Sequence, residues 1–303
     1  MKTSIILPVK NEAVSLDNLL KKLLSQQPDA EIIVVNDGST DNTVQICNKY
    51  GITVISHPYS MGNGAAIKTG VRNASGQILV FMDADGQHDP ADINKLLKKM
   101  DQNFDMVVGA RQMDTHATFS RRIANTVFNK LASIMTGHEI KDLTSGFRAA
   151  RARHFRKFLY LLPNKFSYPT TSTMAFFRSA LPVGYVSIRA AKREGNSHIR
   201  AVRDGLRFFI IILKIGALFS PMRFFLPISL VLFLLGSGYY AYTFFEWGRL
   251  TNMTAILYMA SLITFLIGIL SEQISSLHYR HTSDDARRTD RRKEKSPVCT
   301  DND

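Results

Sequence analysis

Two uncharged apolar stretches in the C-terminal part of the chain constrain its fold more than any other feature. They run from Phe224 to Phe245 and from Met253 to Ser271. Each is about 20 residues long, which is enough for a helix to cross a hydrocarbon core of roughly 30 Å. The connector from Glu246 to Asn252 is too short to form a domain, so we expect a membrane hairpin with both ends on one side. Basic residues flank both ends, Arg223 among them, which predicts that these ends face the cytoplasm.

The first 110 residues alternate between two kinds of segment. Short runs rich in β-branched residues, typical of buried strands, are separated by helical patterns. The predicted strands are Ile5 to Val9, Glu31 to Val35, Ile52 to Ile55, Ile78 to Met82 and Met106 to Val108. One helix is predicted with Ser15 as its N-cap, and another from about Asp41 to a C-terminal stop at Gly51. Strands separated by helices predict a mostly parallel sheet covered on both faces.

Positive charge is concentrated in the middle of the chain, which has a formal net charge of +13. Residues 111–223 carry 20 Lys and Arg against 5 Asp and Glu, whereas residues 1–110 carry 10 against 12. Such a block can bind anionic lipid headgroups, phosphorylated substrates or nucleic acid. Because it runs directly into the apolar stretches, we favour a membrane surface or a lipid phosphate and expect no nucleic acid. A solvated basic surface is the alternative.

An amphipathic helical pattern lies in the last part of the basic region, just before the apolar stretches. Four cations share one helical face whose other sides are apolar: Arg200, Arg203, Arg207 and Lys214. The pattern predicts a helix in the membrane interface, with a buried amphipathic core helix as the alternative. We also expect a helix over residues 119–136 and a Thr/Ser/Pro-rich loop near residues 167–173.

The predicted organisation therefore has four parts. They are an α/β domain (residues 1–197), an interfacial helix (198–221), a two-helix transmembrane hairpin (222–275) and a charged, disordered tail (276–303). The only cysteines are Cys47 and Cys299, which excludes a disulfide framework and fits a reducing, cytosolic setting. The apolar part of the N-terminal MKTSIILPV is too short for a secretory signal. We expect the α/β domain and both termini on the cytoplasmic side of the inner membrane.

The strongest chemical feature is the motif DADGQH at residues 83–88, directly after a predicted strand. In sheets of this kind, ligands bind at the carboxyl ends of the strands. Two carboxylates one residue apart in a turn are costly unless a cation lies there. Mg²⁺ and Mn²⁺ take oxygen ligands and bridge to substrate phosphates, so the motif predicts such a site. A plain acidic surface turn is the alternative.

Other polar residues follow the first three predicted strands. Asp37 is a candidate acceptor of hydrogen bonds from a ribose or a base, whereas Asp41 could cap a helix. Glu12 stands at a helix start, where ribose binding competes with stabilisation of the helix dipole. The run from Met61 to Ala66 is only a weak match to a phosphate-binding glycine loop. No Gly-x-Gly-x-x-Gly follows the strand from Ile5 to Val9, which counts against a nicotinamide-binding domain.

Seven short motifs occur in a fixed order along the chain. They are Pro8 to Glu12, NDGSTD at 36–41, NGAAIKTG at 63–70, DADGQH at 83–88, GAR at 109–111, DLTSGFR at 142–148 and REGNS at 193–197. Together the set resembles the polyprenyl-phosphate glycosyltransferases of glycosyltransferase family 2, which include dolichyl-phosphate mannose synthase. Two positions depart from that pattern: Lys10 stands where an aromatic residue is common, and Gly86 replaces a frequent leucine.

The resemblance implies a GT-A fold, an α/β arrangement with a Rossmann-like and mostly parallel sheet, that binds a UDP- or GDP-sugar. The implied nucleotide contacts are Pro8, Glu12, Asp37 and Asp83. The implied ligands of a Mg²⁺ or Mn²⁺ ion are Asp85 and Gln87. The implied catalytic residues are Asp85, Asp142, Arg111 and Arg193. The implied phosphate-binding residues are Arg121 or Arg122, and Ser197.

The resulting hypothesis is transfer of a hexose-type sugar to the phosphate of undecaprenyl or dolichyl phosphate, with inversion at the anomeric carbon. A lipid phosphate is largely a dianion at neutral pH and needs no strong general base. The alternatives are transfer to diacylglycerol or a glycan, and a non-catalytic scaffold that binds a nucleotide sugar at the membrane. The sequence leaves open the sugar, the nucleotide, the lipid length and the oligomeric state, a homo-oligomer included.

Overall fold

The computed structural model describes residues 2–111, 119–164, 167–189 and 221–294. The chain divides into two compact units, Met1–Gly205 and Leu206–Asp303. The first unit carries all seven strands of the sheet, and the second carries two long helices.

One sheet organises the first unit. Its strands are β1 (Thr3–Val9), β2 (Glu31–Asn36), β3 (Thr53–Ser56), β4 (Ile78–Phe81), β5 (Met106–Arg111), β6 (Arg148–Arg151) and β7 (Val183–Ile188). Their order in the sheet is β3-β2-β1-β4-β6-β5-β7. Every pairing is parallel except those of β6 with β4 and with β5. The five predicted strands and the mostly parallel sheet are confirmed.

Seven helices of the first unit connect these strands within the described residues. They are α1 (Ala13–Gln26), α2 (Thr43–Lys49), α3 (Asn63–Asn73), α4 (Asp92–Met100), α5 (Phe119–Thr136), α6 (Ala152–Lys157) and α7 (Tyr168–Arg178), with a 3₁₀ turn at Leu159–Leu161. The predicted helix over residues 119–136 is confirmed. Gly51, just after α2, has φ +63°, as expected of a glycine that ends a helix. The predicted loop near residues 167–173 is wrong, because Pro169 lies in the first turn of α7, where its missing N–H costs nothing.

The start of α1 differs from its prediction. The helix begins at Ala13, and Ser15 lies inside it, where its hydroxyl donates to the carbonyl of Glu12 at 3.0 Å. Asp41 supplies the cap instead, because its carboxylate accepts the N–H of Ala13 at 3.0 Å. The other oxygen of Asp41 accepts the N–H of Thr43, the first residue of α2, at 3.2 Å. One carboxylate therefore fixes the starts of two helices that are distant in sequence.

Helices cover both faces of the sheet, as predicted. On one face, Leu7 and Val9 of β1 pack in a single apolar core with Leu16 and Leu20 of α1 and Leu96 of α4. Each such leucine contributes about 1.5–3 kcal/mol when fully buried. On the other face, α3 lies so close to β1 that a Cβ at Gly70 would be 2.4 Å from Ile6 Cγ2. This close approach accounts for the glycine at that position.

Within the described residues, the second unit contains a helical hairpin of α8 (Pro221–Trp247) and α9 (Asn252–Glu294). Both helices contain a segment long and apolar enough to cross a membrane. Ser229 and Ser261 exchange hydrogen bonds between the two helices, with Ser229 Oγ donating to the Ser261 carbonyl at 3.0 Å. Gly236 lets α8 approach Tyr258 closely. Small and hydroxyl-bearing residues at the contact are typical of helix packing in membranes.

Two predicted segments border this hairpin, the charged tail and the interfacial helix. The sequence predicts a disordered tail from residue 276, whereas α9 continues to Glu294. No Gly or Pro interrupts residues 269–294, and arginines lie three and four positions after acidic residues, which favours a helix. The predicted interfacial helix over residues 198–221 lies outside the described residues, apart from Pro221, the first residue of α8.

Candidate active site

The predicted polar residues come together along one edge of the sheet. Asp37 follows β2, Asp83 and Asp85 follow β4, and Arg111 is the last residue of β5. Since these strands are mutually parallel, their carboxyl ends lie at the same edge. This is the edge at which open α/β sheets bind ligands.

The turn after β4 is held by a hydrogen bond from its backbone to the side chain of Asp85. Asp85 is buried, and its Oδ1 accepts the N–H of Gln87 at 3.2 Å. Gly86 between them has φ +75°, a conformation that favours glycine. The departure from the family pattern at Gly86 therefore matches the backbone of this turn.

Asp83 lies against the loop that precedes β6. A Cβ built on Gly146 would be 2.6 Å from Asp83 Oδ2 and 3.4 Å from the hydroxyl of Tyr168. Tyr168 is buried, and its hydroxyl donates to the Gly146 carbonyl at 3.1 Å. Glycine at 146 thus leaves room for the carboxylate beside the backbone.

An ion pair joins β5 to the same loop. Arg111 Nε donates to Asp142 Oδ2 at 2.8 Å, and Arg111 Nη2 donates to Oδ1 at 3.0 Å. Asp142 also accepts the N–H groups of Thr144 and Ser145, both at 3.1 Å. Burial alone would raise the pKa of Asp142, but its hydrogen bonds and the charge of Arg111 outweigh that and hold it below its ordinary value. Asp142 is therefore an ionised residue that orients Arg111 and shapes its own loop.

Behind this pair lies Arg148, a cation that the sequence analysis did not single out. Its side chain is fully buried. The guanidinium donates to the Ser145 carbonyl at 3.1 Å, to the Pro169 carbonyl at 2.8 Å and to Ser172 Oγ at 2.8 Å. Its acceptors within the described residues are neutral, so it ties the loop carrying Asp142 to the first turn of α7. The only sequence signal was its place at the end of DLTSGFR.

Three buried polar side-chain atoms have no hydrogen-bond partner among the described residues, and all belong to residues around Asp142. They are His88 Nδ1, Ser145 Oγ and Tyr185 Oη. Ser145 donates its N–H to Asp142, and the charge of Asp142 acts on the pKa of both His88 and Tyr185. Burial lowers the pKa of His88, and its ring stacks on Phe147 with centroids 5.0 Å apart. Buried polar atoms of this kind are commonly satisfied by a ligand or by water.

Asp37 has partners that the sequence did not reveal. Its Oδ1 lies 2.8 Å from His57 Nδ1 and accepts the N–H of Met61 at 2.8 Å. Its Oδ2 accepts the Ser60 hydroxyl at 2.8 Å and the N–H of Gly62 at 2.9 Å. Burial acts to raise the pKa of Asp37, and these hydrogen bonds lower it further than burial raises it. Four partners occupy the acceptor sites of a carboxylate, so Asp37 holds the segment after β3, and its direct contact with a nucleotide stays a prediction.

The remaining predicted nucleotide contacts lie near β1. Pro8 is buried within β1, where it pairs with Val35. Glu12 directly precedes α1, and its carbonyl accepts the N–H of Leu16 at 2.9 Å. Both are close in sequence to Lys10, whose Nζ donates to Ser60 Oγ at 2.9 Å.

One predicted catalytic residue and the predicted phosphate-binding residues are not placed. Arg193 and Ser197 lie outside the described residues. Arg121 and Arg122 belong to α5, but their side chains are outside the described part of the chain. Their roles stay predictions.

The acidic turn is chemically suited to a divalent cation. Within the described residues no group of three or more His, Cys, Asp or Glu side chains is placed to hold a metal ion. Mg²⁺ does not need such a group, because it is usually held by one or two carboxylates together with substrate phosphates. The carboxylates of Asp83 and Asp85 and the amide oxygen of Gln87 supply oxygen ligands of that kind.

Comparison with known proteins agrees with this geometry. Residues 4–159, just over half of the chain, match the model of glycosyl transferase family 2. Residues 220–277 match the model of the GtrB C-terminal hairpin, which agrees with the two apolar helices and indicates membrane association.

Relatives and solved structures extend this result. Glycosyltransferase AglJ from Haloferax volcanii is 24% identical over 90% of this chain and 94% of its own length. Dolichyl-phosphate beta-glucosyltransferase ALG5D from Trichomonas vaginalis is 33% identical over 48% of this chain, which spans only about half, 52%, of that relative. Glucosyl-3-phosphoglycerate synthase from Mycobacterium tuberculosis, solved with Mn²⁺ and UDP-glucose, superposes with a TM-score of 0.58 and 20% identity over 70% of this chain and 77% of its own. The predicted GT-A fold is thereby confirmed, and the chain belongs to glycosyl transferase family 2.

Proposed function

We propose that this protein transfers a hexose-type sugar from a UDP- or GDP-sugar to the phosphate of a polyprenyl phosphate, such as undecaprenyl or dolichyl phosphate. The observation that carries the proposal is the row of Asp83, Asp85 and the Arg111–Asp142 pair at the carboxyl ends of β4 and β5. In the same chain, two helices have the length and composition to cross a membrane. A dolichyl-phosphate glucosyltransferase among the relatives supports a lipid phosphate as the acceptor.

The donor would bind with its diphosphate near the acidic turn. Asp85 and Gln87, with Asp83 beside them, would hold Mg²⁺ or Mn²⁺, and the related synthase solved with Mn²⁺ and UDP-glucose supports this choice. When bound, the cation supplies positive charge that offsets the charge of the departing nucleoside diphosphate. Arg111 retains 36% exposure of its side chain while Asp142 fixes its orientation. It is therefore available to bind phosphate oxygens through its guanidinium.

Transfer itself requires little proton chemistry. A lipid phosphate oxygen attacks the anomeric carbon, the bond from that carbon to the diphosphate oxygen breaks, and the nucleoside diphosphate leaves with the electron pair. A single displacement of this kind inverts the anomeric configuration. The acceptor is already largely a dianion at neutral pH, so no side chain has to remove a proton from it.

Residues 198–221 and the hairpin would hold the protein at the membrane. The interfacial pattern of residues 198–221 would bring the site to the depth of lipid headgroups. Basic residues at both ends of the hairpin support cytoplasmic termini. Arg193 and Ser197, just before the interfacial pattern, and Arg121 or Arg122 would then meet the acceptor phosphate.

The test is a transfer assay with the purified full chain in detergent. UDP- and GDP-sugars are each incubated with polyprenyl phosphate, the matching polyprenol, diacylglycerol or a glycan, with Mg²⁺ or Mn²⁺ and with a chelator, and the products are read by mass spectrometry. We expect a phosphosugar lipid from one donor, only with the phosphate-bearing lipid and only with metal. NMR of the product should show inversion relative to the donor. Product from diacylglycerol or a glycan instead, or nucleotide binding without any product, would contradict the proposal.

Replacing Gly146 with Ala is expected to lower kcat/KM for transfer by about 10–100-fold, because misplacing a reacting group by about 1 Å can cost that much. The added methyl would stand 2.6 Å from Asp83 Oδ2, so the carboxylate must move. The matched control is Gly238→Ala in α8, where no atom lies within 4 Å of the added Cβ. A Gly146→Ala protein with the kcat/KM of the original chain would show that Asp83 is not needed in its observed position.

A further inference from the structure

The loop of residues 57–62, between β3 and α3, is held by several hydrogen bonds to neighbouring elements. The carboxylate of Asp37 binds it at four points, through His57, Ser60, Met61 and Gly62. The backbone N–H of His57 donates to the Asn36 carbonyl at 2.9 Å. The far nitrogen of the same ring lies 2.9 Å from the Thr69 hydroxyl on α3. The loop is thus fixed to β2 at one side and to α3 at the other.

This loop also rests on the turn that follows β2. A Cβ at Gly38 would be 2.8 Å from Ser60 N and 2.9 Å from the carbonyl carbon of Tyr59. From the β1 side, Lys10 Nζ reaches the hydroxyl of Ser60 at 2.9 Å. The loop therefore lies over the carboxyl ends of β1, β2 and β3.

Tyr59 is an exposed aromatic residue on this loop. Asp37 holds His57, two residues before it, and Ser60, directly after it, yet Tyr59 itself is 67% exposed. An aromatic side chain has few rotatable bonds, and a fixed backbone reduces the entropy lost when the ring contacts a ligand. The backbone that carries the ring is thus fixed beside the carboxyl edge of the sheet.

The arrangement of charge along the sheet edge indicates which part of a donor would reach Tyr59; this step rests on the proposed function. The diphosphate belongs at β4, beside Asp83 and Asp85, and the Arg111–Asp142 pair occupies the end of β5. The nucleoside then extends the other way, across β1 and β2 toward β3. Three strand spacings of about 4.8 Å give about 14 Å from β4 to β3, a length comparable to that of an extended nucleoside diphosphate.

We propose that Tyr59 is a stacking surface for the nucleobase of the donor, and that Asp37 and His57 are positioning residues that hold it there. Stacking on an aromatic ring accepts any base, since every base has a π face. Tyr59 would therefore strengthen the binding of UDP and GDP alike and leave the choice between them to other residues.

The experiment measures binding of UDP, GDP and inorganic pyrophosphate to the full chain by calorimetry, in the presence of Mg²⁺. The variants are Tyr59→Ala, Tyr59→Phe and the matched control Tyr160→Ala. Tyr160 lies on the 3₁₀ turn and is 54% exposed. Stacking losses measured at aromatic positions predict that Tyr59→Ala raises the Kd of both nucleotides by at least about 5-fold. Tyr59→Phe and Tyr160→Ala should stay near the original values. Pyrophosphate, which has no base, should bind all four proteins equally.

The affinities of Tyr59→Ala for UDP, GDP and pyrophosphate decide whether the inference holds. Unchanged nucleotide affinity in Tyr59→Ala would overturn it, and so would an equal loss for pyrophosphate, because that loss would come from distortion of the phosphate end. Failure of the original chain to bind any nucleoside diphosphate would overturn the donor assignment and this inference with it. Nucleotide binding that depends on Tyr59 in a chain that forms no lipid product would support the inference while contradicting the proposed acceptor.

Discussion

Asp85→Asn is expected to lower kcat for sugar transfer by at least about 100-fold, because groups that stabilise charge in a transition state are typically worth 10²–10³ in rate. The substitution removes one negative charge but keeps an oxygen that can accept the N–H of Gln87, now bound by Asp85 Oδ1 at 3.2 Å. The turn after β4 should therefore keep its shape, and the free energy of unfolding should change little. Loss of rate without loss of fold is the result that separates a metal ligand from a structural carboxylate.

The matched control for this experiment is Asp89→Asn, in the same segment. Asp89 is exposed and its Oδ1 accepts the N–H of Ala91 at 3.1 Å, an arrangement that asparagine can also provide. Rates are measured against Mg²⁺ and Mn²⁺ concentration for the three proteins. If Asp85→Asn showed the metal dependence and the kcat of the original chain, the metal assignment to Asp85 would be wrong.

Asp142→Ala should damage both activity and stability. It removes the partner of Arg111 and the acceptor of two backbone N–H groups in its own loop. Breaking a fully buried ion pair costs about 3–5 kcal/mol, but the Arg111 side chain is 36% exposed, so we expect a loss of about 2 kcal/mol in the free energy of unfolding. Chemical denaturation measures this loss, and the transfer assay should show a larger decrease in kcat/KM than instability alone would cause.

Asp142→Asn serves as the comparison, because it keeps the size and one acceptor oxygen but not the charge. The folded-state pKa of Asp142 is below its ordinary value. Its charge therefore adds stability above the unfolded pKa of about 3.9, and that contribution is lost as pH falls through the folded pKa. The difference in unfolding free energy between the original chain and Asp142→Asn should be largest above about pH 4 and shrink below it. A difference that stayed constant down to pH 2 would contradict an ionised Asp142 in the folded protein.

The strands β1 to β5 were predicted from the sequence, whereas β6, the antiparallel strand between β4 and β5, was not. β1, β2 and β4 are short runs of buried β-branched residues, which predict strands from local pattern alone. β6 reads Arg-Ala-Ala-Arg and has no such residue. It is a strand because β4 and β5 pair with it on both sides, and that pairing depends on contacts about 40 to 70 residues away in sequence.

The residues of the candidate site were predicted from the sequence, but the hydrogen bonds and ion pairs between them were not. The family resemblance implied that Asp85, Arg111 and Asp142 share one site; Asp85 follows β4, and Asp142 pairs with Arg111 at the end of β5. The ion pair of Arg111 with Asp142 joins residues 31 positions apart, and no local sequence pattern predicts it. Asp37 illustrates the same limit, since its four partners lie 20 to 25 residues downstream. Side-chain geometry between distant segments was therefore the part that sequence patterns could not supply.

The placement of the sheet within the chain has a consequence for biosynthesis. All seven strands of the sheet lie between Thr3 and Ile188, and the first of the two described apolar helices, α8, begins at Pro221. A ribosome adding about 5–20 residues per second needs roughly 2–7 s to pass from Ile188 to Pro221. Every strand of the sheet has therefore been translated before the first apolar helix exists. Folding of the first unit can begin ahead of delivery of the apolar helices to the bilayer, and the two processes need not compete for the same nascent segment.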